Sequence, residues 1–318
     1  MRFDTVAVGT VATLTAGCLL GLGDGPPPLL DRLPRDLTSS EIRAVTANNG
    51  FSFALLARAA ADQPNRNVFL SPLSASMVLG MAMNGARGPT REAIARTIGF
   101  EAVAQSEINE AFRGLRELIL DLDDRTEIRL ANSLWTHQQF SLKPAFVADT
   151  KTFFDAEVRA LDFRAPNAPS VINAWAKDKT AGRIPTIIES IDPDEVMFIL
   201  NAMYFKGRWR DEFDPSRTQP ATFQARGGAQ QVPFMNRATA RPHARTAERE
   251  TIDLWYRNGA YSMTIVLPAP GLDIDTMIGE FTAERWRALV DGLQSNEVAL
   301  SMPKFTFEAT RDLRPDLE

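Results

Sequence analysis

Apolar and polar positions along the chain follow two periods. Glu127-Ile-Arg-Leu-Ala-Asn-Ser-Leu-Trp135 alternates every second residue and predicts a half-buried strand. Residues 156–163 predict another, and the amphipathic stretch 144–154 between them predicts a helix. Ile108, Phe112, Leu115 and Ile119 draw a helical stripe, Ile94 and Ile98 mark a short helix over 90–98, and residues 51–60 hold apolar side chains at helical spacing. Met77-Val-Leu-Gly-Met-Ala-Met83 is apolar on every face, as in a helix buried in mid-domain, and Gly85 closes it.

From Val196 to Phe205 the only strongly polar side chain is Asn201, in a run bounded by Asp192-Pro193-Asp194 and Lys206-Gly207. That pattern predicts a central strand covered on both faces. An unpaired buried amide costs about 1–3 kcal/mol, so Asn201 is expected in a polar network that crosses the core.

Punctuation residues fill in the rest. Asn67-Val-Phe-Leu70 reads as a short strand running into a helix, with Ser71 as N-cap and Pro72 at the first helical position. Ser170 offers a cap for a helix over 171–181, with Gly182 as its left-handed C-terminal residue. Asn258-Gly259 joins the runs 251–256 and 261–267, and the pair suits a type I′ hairpin turn.

Composition narrows the class. A chain of 318 residues, 44% hydrophobic and 24% charged, folds as one large or two modest domains. The net charge of −5 gives no general attraction to nucleic acid, and no nucleic-acid partner is expected. Arg237, Arg241, Arg245 and Arg249 recur nearby and arginine pairs well with sulfate and phosphate, but Glu248 and Glu250 dilute the cluster, and a solvated face is the reading. The single cysteine, Cys18, rules out an intramolecular disulfide and a cysteine-based zinc site. The two histidines, His137 and His243, have no supporting catalytic motif, and His137 reads as a strand-end residue. Asp123-Asp124 reads as a solvated turn, and Gly21-Leu-Gly-Asp-Gly25 follows no strand and is no nucleotide loop. No catalytic residue, cofactor or metal is expected, and the chain is not read as an enzyme.

Two segments carry a family resemblance. Asn201-Ala-Met-Tyr-Phe-Lys-Gly-Arg-Trp209 resembles the end of the third strand of the large sheet in serpins, the serine-protease inhibitor superfamily. Asn67-Val-Phe-Leu-Ser-Pro-Leu-Ser74 followed by Asn84-Gly-Ala-Arg-Gly-Pro-Thr90 is similar to the serpin segment that leads through the buried second helix. Tyr261-Ser-Met-Thr-Ile-Val-Leu-Pro268 and Val298-Ala-Leu-Ser-Met-Pro-Lys-Phe305 fit the same order, and the likeness spans about residues 45–310 of a bacterial-type member.

The resemblance implies an α+β serpin fold, with helices packed on a large mixed sheet plus smaller antiparallel sheets. It makes Ser71, Ser74 and Asn201 the polar shutter beneath the large sheet and Trp209 a breach residue; a plain helix cap at Ser71 and a satisfied first-turn Ser74 are the alternative. The helix at 172–184 would lie across that sheet and shift when it opens. The partners implied are serine proteases, with cysteine endopeptidases as a second class, trapped by a suicide-substrate mechanism in which a cleaved loop inserts as a new strand. Nothing after Phe305 matches the reactive-centre loop or the last strands, so residues 41–318 read as an incomplete serpin domain, inactive as an inhibitor, with no scissile bond to name. The alternative is a non-inhibitory surface interaction or scaffold protein, and a monomer is expected in either case.

The first residues read separately. Leu14-Thr-Ala-Gly-Cys18 after an apolar stretch resembles a lipoprotein signal over 1–18, with Cys18 the lipidation candidate. A membrane anchor helix or an unstructured tail is the alternative. Residues 19–40 read as a Gly/Pro-rich linker, and the body is expected outside the cell or in the envelope, secreted or lipid-anchored.

Overall fold

A computed structural model describes residues 27–317 apart from 193, 226 and 307; the expected signal over 1–18 and Cys18 lie outside the described residues. No described helix is long and apolar enough to cross a membrane.

Helix α1 (Ser39–Asp62) starts at a capping box. The Thr38 hydroxyl accepts from the Glu41 amide, and the Glu41 carboxylate accepts from the Thr38 amide at 2.7 Å. Helices α2 (Pro72–Gly85), α3 (Gly88–Thr97), α4 (Gln105–Asp121) and α5 (Pro144–Phe154) pack with α1 around a core of Leu55, Met77, Met81, Phe100, Phe112 and Phe154. A Cβ on Gly80 would stand 2.9 Å from the Phe112 ring, so only glycine lets α2 approach α4 and α5 this closely. The expected strand at 67–70 does not form: these residues run extended into α2 without a ladder.

Strands β1 (Glu127–His137), β2 (Ala156–Leu161) and β3 (Met197–Lys206) form one sheet in the order β2-β1-β3, parallel between β1 and β2 and antiparallel between β1 and β3. The middle strand is therefore β1. The run 197–206, read as central, lies at the sheet's edge among the described residues. Its apolar character comes instead from cover on both faces. The α1–α5 core packs on one side through Ile199, and α6 (Ala168–Lys179) covers Phe198, Leu200 and Ala202 on the other. The same double cover explains why period two in β1 gives way to unbroken burial from Asn132 to His137.

Helix α6 begins at Ala168 after Asn167 rather than at Ser170, because Pro169 fits the open first turn. It ends in left-handed residues at Ala181 and Gly182, the Gly182 amide donating back to the Lys177 carbonyl at 2.7 Å. Asp123 is buried rather than solvated, since its carboxylate accepts from the Arg125 amide and the Thr126 hydroxyl.

The second sheet contains β4 (Gln219–Ala225), β5 (Gly228–Arg245), β6 (Arg249–Tyr256), β7 (Tyr261–Pro268) and β8 (Gln294–Pro303), in the order β4-β5-β6-β7 with β8 on β5. The β6–β7 hairpin forms as expected but with a four-residue loop: φ is positive at Arg257 and Gly259, not at Asn258. The Asn258 side chain is used to accept from the Ala260 amide at 2.9 Å. Helices α7 (Ile274–Gly279) and α8 (Ala283–Asp291) lie beside α1, where Phe53 meets Phe281 and Trp286, and α9 (Arg314–Leu317) ends the described chain. Residues 27–37 run along the body, the Leu30 amide donating to the Asn258 carbonyl at 2.7 Å.

Candidate functional site

Strand β3 sets the candidate site because its two faces alternate. Asn201 lies opposite Asn132 in the β1–β3 register, and its Nδ2 donates to Asn132 Oδ1 at 2.8 Å. Asn132 Nδ2 in turn donates to the Phe154 carbonyl at 2.7 Å, at the end of α5. Both side chains are 2% exposed, so the relay is dry. Asn201 Oδ1 is buried and has no hydrogen-bond partner among the described residues. An orphan acceptor on an edge strand is costly unless something later donates to it.

Ser71 caps α2 and donates to Ser74 Oγ at 2.8 Å, and its hydroxyl also reaches Met203 Sδ at 3.8 Å. Met203 shares a face of β3 with Asn201, two positions away. The structure thus puts the serine pair and the asparagine on one side of the sheet, but as two small networks; no bond joins either serine to Asn201 among the described contacts. Sequence reasoning passed over Asn132. The signal was present, since it is a lone amide breaking the alternation of β1.

Trp209 follows the exit of β3 and bridges to Tyr256, with the two rings stacked at 4.4 Å and 13°. Gly207 makes the approach possible, since a Cβ there would lie 2.7 Å from the Tyr256 ring. Burial pushes the Tyr256 phenol up to about 12.

The arginines expected on a solvated face divide. Arg245 and Arg249 are paired with Glu250 and Glu248 on the surface. Arg241, 9% exposed, instead points into the molecule, and it shares one carboxylate, Asp211, with the part-exposed Arg237. Their positions on β5 face the loop after β3, where Asp211 meets both.

His137 stands at the end of β1, its Nδ1 accepting from the Gln139 amide, and His243 lies 3.6 Å from Glu250. Among the described residues no cluster of three His, Cys, Asp or Glu is arranged to hold a metal. A cavity of about 530 Å³ opens between β5, β6 and α8, with Arg249, Arg285 and Leu289 among its walls.

A family model described as serpin (serine protease inhibitor) matches residues 46–318. An uncharacterized serpin-like protein of Thermococcus kodakarensis is 31% identical over 85% of this chain and 63% of its own length. Iripin-3 of Ixodes ricinus is 32% identical over 81% of this chain and 67% of its own length. The chain therefore spans about two thirds of the length of these curated relatives. Reactive-loop-cleaved human thyroxine-binding globulin superposes with a TM-score of 0.83 at 26% identity, covering 88% of this chain and 84% of that one.

Proposed function

Because this chain belongs to the serpin family, whose members are inhibitors or binding proteins rather than catalysts, we propose that it is the strand-accepting body of a serine-endopeptidase inhibitor. The observation that carries this reading is the outer edge of β3, which pairs with no described strand and holds the orphan acceptor Asn201 Oδ1. An open edge exposes a row of backbone donors and acceptors, and an extended segment that adds there gains ladder hydrogen bonds. A polar group on the inserted strand would also satisfy Asn201.

In this reading Ser71, Ser74 and Asn201 form the shutter beneath the accepting edge, and Trp209 stands at its upper end. Residues 27–317 supply the sheet that accepts the strand. The body is delivered outside the cytoplasm through residues 1–18, with Cys18 as a lipid anchor and the monomer as the working form. Loss of labelled-palmitate incorporation in Cys18→Ser would support the anchor.

The test is a blocked peptide of about 12 residues, apolar at alternate positions, incubated with the purified chain. Binding should raise Tm and slow hydrogen exchange along β3. Unchanged β3 exchange at saturating peptide would overturn the reading. The chain alone should form no SDS-stable adduct with a trypsin- or elastase-type protease.

The cavity of about 530 Å³ favours a second reading, a non-inhibitory carrier. The likeness to thyroxine-binding globulin makes thyroxine the first probe. Saturable quenching of tryptophan fluorescence would support a carrier, and a flat titration would remove it.

A further inference from the structure

Residues 27–37 are neither helix nor strand, yet both of their ends are fastened to the body. At one end the Leu30 amide donates to the Asn258 carbonyl at 2.7 Å, and Arg210 Nη1 donates to the Pro27 carbonyl at 2.6 Å. Leu29 lies against Gly259, where a Cβ would stand 2.9 Å from Leu29 Cδ2. At the other end Arg35 is held by Glu41 and the Gly114 carbonyl, and Leu37 packs on the helical core. Residues 31–36 between these ends are exposed, so the segment is a strap anchored twice.

The first anchor is the exit of β3. The Arg210 amide donates to the Trp255 carbonyl at 2.8 Å and the Arg257 amide to the Arg208 carbonyl at 3.1 Å, on either side of the Trp209–Tyr256 stack. The same Arg210 Nη1 that holds Pro27 also donates to the Arg257 carbonyl, at 2.8 Å. Arg257 is left-handed, with φ at 35°, and a residue with a side chain stays in that region only where its surroundings hold it. Asn258 Nδ2 and the Tyr261 hydroxyl donate to the carbonyls of Leu122 and Ile119 at the end of α4, which fixes the hairpin from the far side. One guanidinium thus ties the strap, a strained hairpin loop and the β3 exit together.

We infer, on the strand-accepting reading above, that residues 27–30 are an autoinhibitory strap, which holds the exit of β3 on the β6–β7 hairpin and slows the uptake of a strand at the β3 edge. An edge strand that accepts a neighbour must adjust its twist to the new ladder. Strand β3 can do so only as far as its exit lets go of the hairpin. The strap adds two hydrogen bonds to that crossing and keeps Arg257 in its strained state, so it acts where β3 is coupled to the second sheet.

The test compares the full chain with Leu30→Pro, which removes the amide that bonds Asn258, and with Arg210→Gln, which frees the Pro27 and Arg257 carbonyls. Hydrogen exchange of the Arg210 and Arg257 amides reads the exit directly. Exchange there should rise at least tenfold in both variants. Asp31→Ala, in the exposed span, should leave it unchanged. Uptake at β3 of the blocked alternating peptide should be at least threefold faster in both variants than in the parent. Faster exit exchange with no peptide bound by any of the chains would remove the strand-accepting body and support the strap's hold on the exit. Unchanged exit exchange in Leu30→Pro would overturn the strap whatever the peptide does, even where Arg210→Gln fails to fold. Peptide uptake at the parent's rate after the exit has loosened would overturn it as well.

Discussion

Asn201 and Asn132 face each other across the β1–β3 ladder and share one hydrogen bond of 2.8 Å, but only Asn132 passes its own donor on, to the Phe154 carbonyl. The relay links the edge strand, the middle strand and the end of α5. Removing either amide strands a partner in a dry site. Asn132→Ala should cost about 2–3 kcal/mol, because it leaves both Asn201 Nδ2 and the Phe154 carbonyl unpaired. Asn201→Ala should cost less, since it also removes the orphan acceptor. Urea unfolding of both single variants and the double variant should give a coupling energy of about 1 kcal/mol; independent, additive effects would show that the contact contributes nothing.

Glu41 tests the other end of the helical layer. It is 3% exposed and accepts from both Arg35 Nη groups at 2.6 and 2.8 Å, and Arg35 reaches on to the Gly114 carbonyl. The Arg35 guanidinium, chiefly by hydrogen bonding, holds the carboxyl down at about 2 against the opposing effect of burial, and the Thr38 amide adds to it. A folded-state pKa below the ordinary 4.5 means that this stability is present above pH 4.5 and is lost as the pH falls toward 2. Glu41→Gln should flatten the Tm–pH curve over that window and cost about 1–2 kcal/mol at pH 7.

Much of this arrangement was legible in residue order, and the misses have a common cause. The helices α4 and α5 were visible because Ile108, Phe112 and Leu115 lie on one stripe and Pro144 starts a helix cleanly. Sheet order was not, because an apolar run such as 197–206 looks the same whether a strand is flanked by two neighbours or lies at an edge under helices on both faces. The serines and Asn201 could be named without their partners: Asn132 meets Asn201 through a register between strands 69 residues apart, and Met203 meets Ser71 through the packing of α2 on β3, 132 residues apart. Arg241 was misread for the same reason. Its charge suggested solvent, and only the fold brings Asp211 and Trp255 against it.

Tyr256 gives the alkaline counterpart of Glu41. It is buried against Trp209 and Phe205, and burial raises its phenol from 10.0 to about 12. A raised folded-state pKa contributes stability that is intact below pH 10 and is lost as the pH climbs toward 12. The Trp209 fluorescence should therefore change in that window, ahead of the loss of helical circular dichroism. Tyr256→Phe keeps the stack and should abolish the early change; a transition identical to the parent's would place the titrating group elsewhere.

Glu157 on β2 fastens α6 to the sheet. Its carboxylate accepts from Trp175 Nε1 at 3.1 Å and lies 2.6 Å from Lys179 Nζ, both on α6, and it also pairs with Arg159 on its own strand. Burial alone would push this carboxyl up, but the bonds from Lys179, Trp175 and Arg159 together hold it below the ordinary value. The group is about one third exposed, so the pairing contributes little to global stability, about 0.5–1 kcal/mol. Its effect should be local instead. Asn173 clamps the other side of α6 by bonding residues 187 and 188, which leaves Glu157 as the tie at the β2 edge. Glu157→Ala should leave Tm within a few degrees of the parent while hydrogen exchange in α6 rises several-fold and exchange in β1 stays unchanged. Faster exchange in β1 as well would mean that α6 and the sheet open together, and that Glu157 supports the whole layer rather than the helix that covers it.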